Sequence, residues 1–421
     1  MTDLADGATL SPMSPAPPTP SGTAPGSVTS LRTANQRRVI AVLRDRPGPA
    51  EVTQAAIARA TGLAPATVSN IVRELVAADI VETTAGAGRR GTAVRISRRA
   101  GTIAGIDVGH SHLRVALGDM GGTIVGEARQ RLAPTHALDE ALDAMEAMLD
   151  RLLADLGQDR SAVVAVGMGL PTPIEAAGRI TDASILPGWV GVDPAAVVGR
   201  RLDRTVHVDN DANLGALAEH RWGAGRGHRC MAYVKVSSGV GCGLVFDGVV
   251  FRGGTGMAGE LGHLTIDDDG PLCRCGGRGC LEAYCSIATV RALLADQLPG
   301  ADLPEIVQAA TRGNAAALRA IEDAGHHLGW GIAHLANLIN PTRIVIGGDL
   351  AQAGDLLLDA VGVALRRRTL AGVGSSVSLR ASALGGRSSV VGAMLLAMGA
   401  SELAPGGSTS VPGTSELPVD N

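Results

Sequence analysis

The stretch Glu260–Glu282, ELGHLTIDDDGPLCRCGGRGCLE, is the part of this chain that most restricts what the protein can be. It places one imidazole and three thiols within 18 residues, at His263, Cys273, Cys275 and Cys280. This donor set suits a closed tetrahedral Zn²⁺ site, because zinc takes nitrogen and sulfur ligands and has no geometric preference of its own. Four protein ligands leave no position for a metal-bound water, so the predicted zinc is structural. The alternative is a cysteine-rich turn without metal.

Length and composition indicate a cytoplasmic protein of two or three domains. The chain has 421 residues, of which 45% are hydrophobic, so it can build more than one core. We find no basic segment followed by an apolar run at the start, and no run that approaches about 18 apolar residues, so we expect neither export nor a membrane span. Six cysteines in a cytosolic chain argue for metal or free thiols rather than disulfides. Lysine occurs once, at Lys235.

Residues 31–99 form a basic segment in an acidic chain. Twelve Arg against five acidic residues give this segment a charge of +7, and since the whole chain carries −4, the rest carries −11. A basic module on an acidic body indicates a polyanionic partner. The apolar pattern predicts a helix, a second helix capped by Thr53, a turn at Thr61-Gly62-Leu63, a third helix from Pro65 and then two strands.

The third of these helices has the features of a DNA recognition helix. One face is apolar, and the other carries side chains suited to base contacts in a major groove, at Thr67, Ser69, Asn70 and Arg73. The two strands would form a wing with Arg89 and Arg90 at its tip, for phosphates or the minor groove. The segment resembles a winged helix-turn-helix. The alternative is a small helical domain for protein interactions.

The 260–282 stretch also follows the pattern G-H-x9-C-x-C-G-x-x-G-C-x-E, which closely resembles the signature of the ROK family of repressors, open reading frames and sugar kinases. The resemblance covers about residues 101–400. It implies an α/β, two-lobed, actin-like ATPase (ribonuclease H-like) sugar-kinase fold, and the same four zinc ligands. It also implies sugar contacts from Glu260, His263 and Glu282.

The run Asp209-Asn-Asp-Ala-Asn213 follows a short predicted strand. In ROK kinases the Asp of N-D-A-N is the general base that takes the proton from a sugar hydroxyl, and by position this residue is Asp211. Asn210 would contact the sugar. In a non-catalytic sensor, Asp211 would instead accept the hydrogen bond of that hydroxyl. The alternative is a helix N-cap, a role that Asp and Asn fill well.

Two glycine-containing runs resemble the phosphate loops of sugar kinases. The residues that the resemblance carries over are Asp107, Gly109 and Ser111 in the first loop, and Ser238, Gly239 and Gly241 in the second. His110 and Cys242 stand where the kinases have glycine. Because a Cβ hinders the approach of backbone to phosphate, these residues argue against the use of ATP and Mg²⁺. The alternatives are a structural hairpin and a tight turn.

The sequence therefore predicts a disordered tail (1–30), a winged helix-turn-helix (31–99), a ROK domain (101–400) and a second disordered tail (401–421). The lobes of the ROK domain would be about 101–210 plus 386–400, and 211–385. The predicted function is a sugar-responsive transcriptional regulator, a repressor of carbohydrate-utilisation genes. We expect it to bind operator DNA as a homodimer or dimer of dimers, with a sugar or sugar phosphate as effector. The alternative is an ATP-dependent hexose or amino-sugar kinase, or a bifunctional regulator-kinase, with Asp211 as base.

Overall fold

The computed structural model describes residues 28–45, 51–85, 92–134, 136–175, 178–180 and 185–401. The predicted wing tip, with Arg89 and Arg90, lies outside the described residues. Most of the first predicted tail and all but Ser401 of the second lie outside them too. The first helix begins at Val28, three positions before the predicted start of the first domain.

The N-terminal domain is a winged helix-turn-helix, as predicted. Its elements are α1 (Val28–Leu43), β1 (Val52–Thr53), α2 (Gln54–Thr61), α3 (Pro65–Ala77), β2 (Val81–Ala85) and β3 (Thr92–Ile96). The side chain of Thr53 caps α2 by accepting a hydrogen bond from the amide of Ala56 at 3.2 Å. Gly62 ends α2 with a φ of 69°, a left-handed conformation that favours glycine. Pro65 opens α3, so the predicted turn between the two helices is confirmed.

The rest of the described chain forms two lobes around two sheets. The first lobe contains β4 (Thr102–Val108), β5 (His112–Asp119), β6 (Ile124–Arg131), α4 (Leu138–Asp155), β7 (Val163–Leu170), α5 (Pro194–Leu202), β8 (Val206–Asn210) and the last helix, α13 (Ser388–Ala400). The second lobe contains α6 (Asp211–Trp222), β9 (Cys230–Val236), β10 (Val240–Phe246), β11 (Val249–Phe251), α7 (Glu282–Cys285), α8 (Ile287–Leu293), α9 (Leu303–Thr311), α10 (Ala315–Ile339), β12 (Arg343–Gly347), α11 (Asp355–Arg368), α12 (Ala371–Ser376) and β13 (Ser378–Ala381).

Both lobes repeat one sheet topology. Within the described residues, the strand orders are β6-β5-β4-β7-β8 and β11-β10-β9-β12-β13. In each sheet the first three strands are antiparallel and the last two pair in parallel. Because β4, β7 and β8 run in one direction, their carboxyl ends meet at one edge, and β9 and β12 do the same in the other lobe. This duplicated α/β architecture is the actin-like fold that the sequence predicted.

Helices α6 and α13 connect the lobes to the winged helix. The two helices approach closely at Gly392, where a Cβ would clash with the backbone of Leu214. Their far ends, with Trp222 and Met398, join one continuous apolar core with the winged-helix residues Val39 and Ile96. The winged helix is therefore packed onto the body rather than tethered to it. Among the described helices, none combines the length and apolar character that crossing a membrane requires.

Candidate functional site

A cleft of ≈ 340 Å³ lies where the strand ends of the two lobes face each other. Loops after β4, β7, β9 and β12 and the start of α6 contribute to its wall. Of the residues predicted for sugar or phosphate, those lining the cleft are Gly109, Ser111, Asn210, Asp211, Ser238, Gly239, Gly241, Glu260, His263 and Glu282. Asp107 instead lines a small neighbouring cavity behind His112. The volume falls in the range of roughly 300–1,000 Å³ that is typical of small-molecule sites.

Asp211 is the first residue of α6 and lies at the bottom of this cleft, with its side chain only 7% exposed. Its Oδ2 accepts a hydrogen bond from Lys235 Nζ at 2.6 Å. Burial raises the pKa of Asp211, and the charge of Lys235 opposes that rise. The N-cap of α6 is Asn210, whose Oδ1 accepts from the amides of Ala212 and Asn213. The capping alternative therefore applies to Asn210, and Asp211 remains directed at the cleft.

The first candidate phosphate loop is covered by an imidazole. His112 Nε2 lies 3.2 Å from Asp107 Oδ2, and the ring lies directly over Gly109, where a Cβ would clash with it. Burial alone would raise the pKa of Asp107, but the hydrogen bond from His112 and the charge of Lys235 lower it to about 2. Oδ1 of Asp107 is buried without a hydrogen-bond partner among the described residues. The ring of His112 therefore fills the space beside Gly109 where a Cβ would stand.

The second candidate phosphate loop is tied to the 260–282 stretch. Glu282 accepts from the amide of Val240 at 2.9 Å with Oε2, and from Arg274 Nε at 2.6 Å with Oε1. Arg274 Nη2 also donates to the carbonyl of Ser238 at 2.6 Å. On the other side of the loop, Ser237 Oγ accepts from the amide of Asp349 at 2.9 Å. These hydrogen bonds hold the second candidate phosphate loop in place from both sides. Glu282 therefore stabilises this loop in addition to lining the cleft.

The four predicted metal ligands come together. One ligand atom each from His263, Cys273, Cys275 and Cys280 lies within 4.8 Å of the other three. The Cys275–Cys280 Sγ separation and the distance from Cys273 Sγ to His263 Nδ1 are both 3.7 Å. A tetrahedron with metal–sulfur bonds of about 2.3 Å has edges of about 3.8 Å, so these two separations fit the ligands of one bound metal ion. Nε2 of His263 lies on the other side of the ring, 4.0 Å from Glu260, so one imidazole can serve both the cluster and the cleft.

The predicted recognition helix has the expected faces. Val68, Ile71, Val72 and Leu75 are buried, whereas Asn70 and Arg73 are exposed and Thr67 and Ser69 are half-buried. Arg73 Nη1 donates to Asn70 Oδ1 at 3.2 Å. An amide and a guanidinium on one solvent-exposed face can form the paired hydrogen bonds that read bases.

Sequence reasoning missed the residues that constrain the predicted site residues. These are His112, Lys235 and Arg274. Only Lys235 carried a signal in the sequence, as the single lysine of the chain. Trp189 is fully buried in the core of the first lobe and does not line the cleft.

This geometry defines a class of protein in which a DNA-binding domain is joined to a two-lobed body with the topology of a sugar kinase. The sequence profile of the ROK family matches residues 103–400, and that of the MarR family matches residues 32–91. The chain belongs to the ROK family.

Individual relatives share both parts of the molecule or the body alone. The xylose repressor of Bacillus subtilis is 27% identical over 362 residues, which cover 85% of this chain and 93% of that protein. The crystal structure of a ROK family transcriptional regulator, a homologue of the E. coli MLC protein, has a TM-score of 0.71 and 25% identity, with 87% of this chain and 96% of that one covered. The ROK glucokinase of Streptomyces griseus, solved with glucose and AMPPNP, has a TM-score of 0.63 and 28% identity, covering 70% of this chain and 99% of its own.

Proposed function

We propose that this chain is a sugar-responsive transcriptional regulator, a cytoplasmic repressor of carbohydrate-utilisation genes. The observation that carries the proposal is the position of α6, which begins at Asp211 in the cleft and ends at Trp222 in the apolar core shared with the winged helix. A relative that covers both parts of the chain is named a xylose repressor. The cleft is therefore the candidate effector site, and the winged helix is the candidate operator-binding part.

The effector site supports a polyol ligand. Its wall alternates carboxylates with hydroxyl, amide and imidazole groups, of which Asp211, Glu260 and His263 are the candidate sugar contacts. Each of these groups can hydrogen-bond a hydroxyl group. A sugar between the lobes would contact both, so binding would favour the closed arrangement over the open one. Only such a difference in affinity can shift the equilibrium between two arrangements.

The route from the cleft to the DNA-binding domain consists of two packed helices. Helix α6 has 12 residues and is therefore about 18 Å long. Ser389 Oγ of α13 donates to the carbonyl of Asp211 at 3.1 Å, so both helices meet the effector site at that point. At the far end, Trp222 and Met398 pack in the winged-helix core. A shift of α6 against α13 would therefore change how the winged helix is seated.

We further propose that the His263 cluster holds a structural Zn²⁺. The donor set and the 3.7 Å spacings fit that ion. Bound there, zinc would supply no reactive position. It would fix the loop that carries Glu260, and through Arg274 and Glu282 it would also support the second candidate phosphate loop.

We propose that two copies of the chain bind DNA together, because two winged helices related by a twofold axis match a pseudo-palindromic operator. DNase I footprinting on DNA from upstream of the chain's own coding region tests the DNA-binding part. The expected result is a protected site made of two half-sites that are one or more helical turns apart. Uniform weak protection along the fragment, equal to that on unrelated DNA, would contradict it.

A sugar kinase is the second candidate, because Asp211 lies in the cleft at the position of the family's general base. The ring of His112 over Gly109 and the ion pair of Asp211 with Lys235 oppose this reading. Calorimetric titration of Mg·ATP into the zinc-loaded protein, with and without D-glucose, decides between the two. We expect no saturable heat from Mg·ATP. Saturable binding together with ADP release that Asp211→Ala abolishes would establish the kinase instead.

A further inference from the structure

The only lysine of the chain lies in the effector site, and neither the sequence motifs nor the comparisons assign it a role. Lys235 is on β9, and both it and Asp211 line the cleft. The two side chains are 14% and 7% exposed, and Nζ and Oδ2 are 2.6 Å apart. We propose that Lys235 is the specificity-determining residue of this site: with Asp211 it forms a fixed donor–acceptor pair that reads one sugar hydroxyl and prevents Asp211 from acting as a base. This inference rests on the proposed sugar-sensing function.

The pair leaves hydrogen-bonding capacity for a ligand. An ammonium group has three N–H bonds, and among the described residues only Asp211 accepts one from Lys235. Asp211 has a second carboxylate oxygen. A sugar hydroxyl placed between them would accept a hydrogen bond from Nζ and donate one to the carboxylate of Asp211. Both its oxygen and its hydrogen would then have a partner. A bound sugar without a hydroxyl at this position would exclude water from Lys235 and Asp211 and leave their remaining polar atoms without a partner. The free-energy cost of those unsatisfied atoms is what makes such sites selective.

The surrounding charges keep the pair ionised. Burial alone would lower the pKa of Lys235, but the carboxylates of Asp211 and Asp107 raise it above its usual value. Burial raises the pKa of Asp211, and the positive charge of Lys235 opposes that rise. His110 also lines the cleft, and burial together with Arg274 lowers its pKa, so it is a neutral neighbour at pH 7. The other acidic or basic side chains that line the cleft are those of His112, Glu260, His263, Glu282, Arg291 and Asp349.

The same pair opposes phosphoryl transfer. A general base must take the hydroxyl proton as the bond to phosphorus forms, and here that proton would end on Asp211. The adjacent ammonium stabilises the ionised carboxylate over the protonated one, so Asp211 is a weaker base than a carboxylate buried at this position without Lys235 would be. Nζ also holds Oδ2 in place, which leaves the carboxylate oriented as an acceptor. Lys235 thus allows Asp211 to accept a hydrogen bond from the sugar and disfavours its use as a general base.

The single lysine makes a direct experiment possible. Protein labelled with [¹⁵N]lysine gives one side-chain Nζ signal and one backbone amide signal from this residue. D-xylose and D-glucose are the probes, each added to the full-length, zinc-loaded chain while calorimetry records binding of the same probe. We expect the probe that binds to shift the Nζ signal and to protect it from exchange with water. Binding with an unchanged Nζ signal would overturn the inference and leave the sensing function intact. No binding by either probe, or by a wider panel of sugars, would overturn the sensing function itself and this inference with it.

A variant pair separates a direct contact from a structural role. Lys235→Met should weaken sugar binding roughly 10- to 100-fold, since it removes a hydrogen bond from a charged donor. It should also make the affinity depend on pH between about 5 and 8, because Asp211 without its cation takes up a proton more readily, whereas the wild type should show a flat profile. Lys235→Arg keeps the charge and should keep the flat profile even if its affinity falls. Where Lys235→Met does not fold, the Nζ signal of the wild type still decides the question. Equal affinities and flat profiles for wild type and Lys235→Met would contradict the proposal.

Discussion

Arg44 Nη1 donates a hydrogen bond to the backbone oxygen of Met398 across 3.0 Å, and this bond joins the end of the first winged-helix helix to the last turn of α13. The carbonyl end of a helix carries partial negative charge, which favours a cation there. Arg44 is nevertheless 9% exposed, and its Nε and Nη2 have no partner among the described residues. Burial and the charge of Arg221 lower its pKa to about 10. The junction between sensor and DNA-binding domain therefore contains a poorly compensated charge, and we expect the two parts to separate there.

Replacing this charge should strengthen the junction. Arg44→Met keeps an apolar stem of similar length and removes the cost of burying a cation with two nitrogens that lack a hydrogen-bond partner, so the free energy of unfolding should rise by about 1 kcal/mol. Differential scanning calorimetry measures this as a rise in the melting temperature of roughly 2–4 °C. Arg59→Met, at an exposed position of the same domain, is the control and should change little. A lower melting temperature for Arg44→Met than for the control would show that the single hydrogen bond outweighs the burial cost.

The proposed zinc site predicts that replacing Cys275 and replacing Cys230 will affect the zinc content differently. Cys275→Ser removes one of four ligands, so the protein should lose close to one equivalent of zinc and its melting temperature should fall. Cys230→Ser removes a half-buried thiol outside the cluster and should leave the zinc content unchanged. Elemental analysis after gel filtration gives the stoichiometry. A wild-type protein that contains no zinc when purified from zinc-supplemented cells would refute the structural metal.

The recognition helix predicts a loss of specificity rather than of general affinity. Arg73→Ala should lower discrimination between the footprinted site and a scrambled sequence by about 1–3 kcal/mol, because it removes a side chain suited to paired base contacts. Asn70→Ala should act in the same direction, since the two side chains are bonded to each other at 3.2 Å. Fluorescence anisotropy at one fixed salt concentration measures both affinities. If both DNAs lost affinity to the same extent, Arg73 would be a phosphate contact instead.

The Asp107–His112 contact predicts a specific sensitivity to acid. The pKa of Asp107 in the folded protein is lowered to about 2, below the value of about 3.9 of an unfolded chain. A lowered folded pKa means that the group contributes stability above the unfolded pKa and loses it as pH falls from about 4 towards 2. Asp107→Asn should therefore lose less stability than the wild type between pH 5 and pH 3. Urea unfolding at both pH values measures this. Because metal release at low pH affects both proteins, the difference between them isolates Asp107, and equal losses would contradict the assignment.

Much of the fold and of the metal cluster could be predicted because the information is local. The ligands from His263 to Cys280 and the helix–turn–helix from Thr53 to Leu75 depend on spacing within short stretches. The two-sheet body was instead expected from the resemblance to the ROK family, because the strand orders β6-β5-β4-β7-β8 and β11-β10-β9-β12-β13 do not follow the order of the strands along the chain. The choice between Asn210 and Asp211 as the cap of α6 could not be made, because it depends on where the helix begins to within one residue.

The contacts that restrict the site could not be predicted, because they join residues from separate strands. Lys235 meets Asp211 only after β9 packs beside the start of α6, and Arg274 reaches Ser238 from a loop 36 residues further along the chain. His112 folds back over Gly109 through the hairpin of β4 and β5, which the glycine pattern predicted without revealing where the ring would lie. In each case burial and the need to pair charge decide the partner, and neither is visible in the linear sequence.

The most direct test of the account is whether a sugar in the cleft changes the affinity of the winged helix for DNA. The measurement is the dissociation constant of the full-length protein for its footprinted site, by anisotropy, with and without saturating D-xylose or D-glucose. Glu260→Gln is the matched variant, since Glu260 lines the cleft and lies far along the chain from the DNA-binding domain. We predict that a sugar weakens DNA binding by at least about fivefold, a coupling of about 1 kcal/mol. We also predict that Glu260→Gln shifts this response to higher sugar concentration without changing DNA binding in its absence. A sugar that binds to the cleft and leaves the affinity for DNA unchanged would contradict the account.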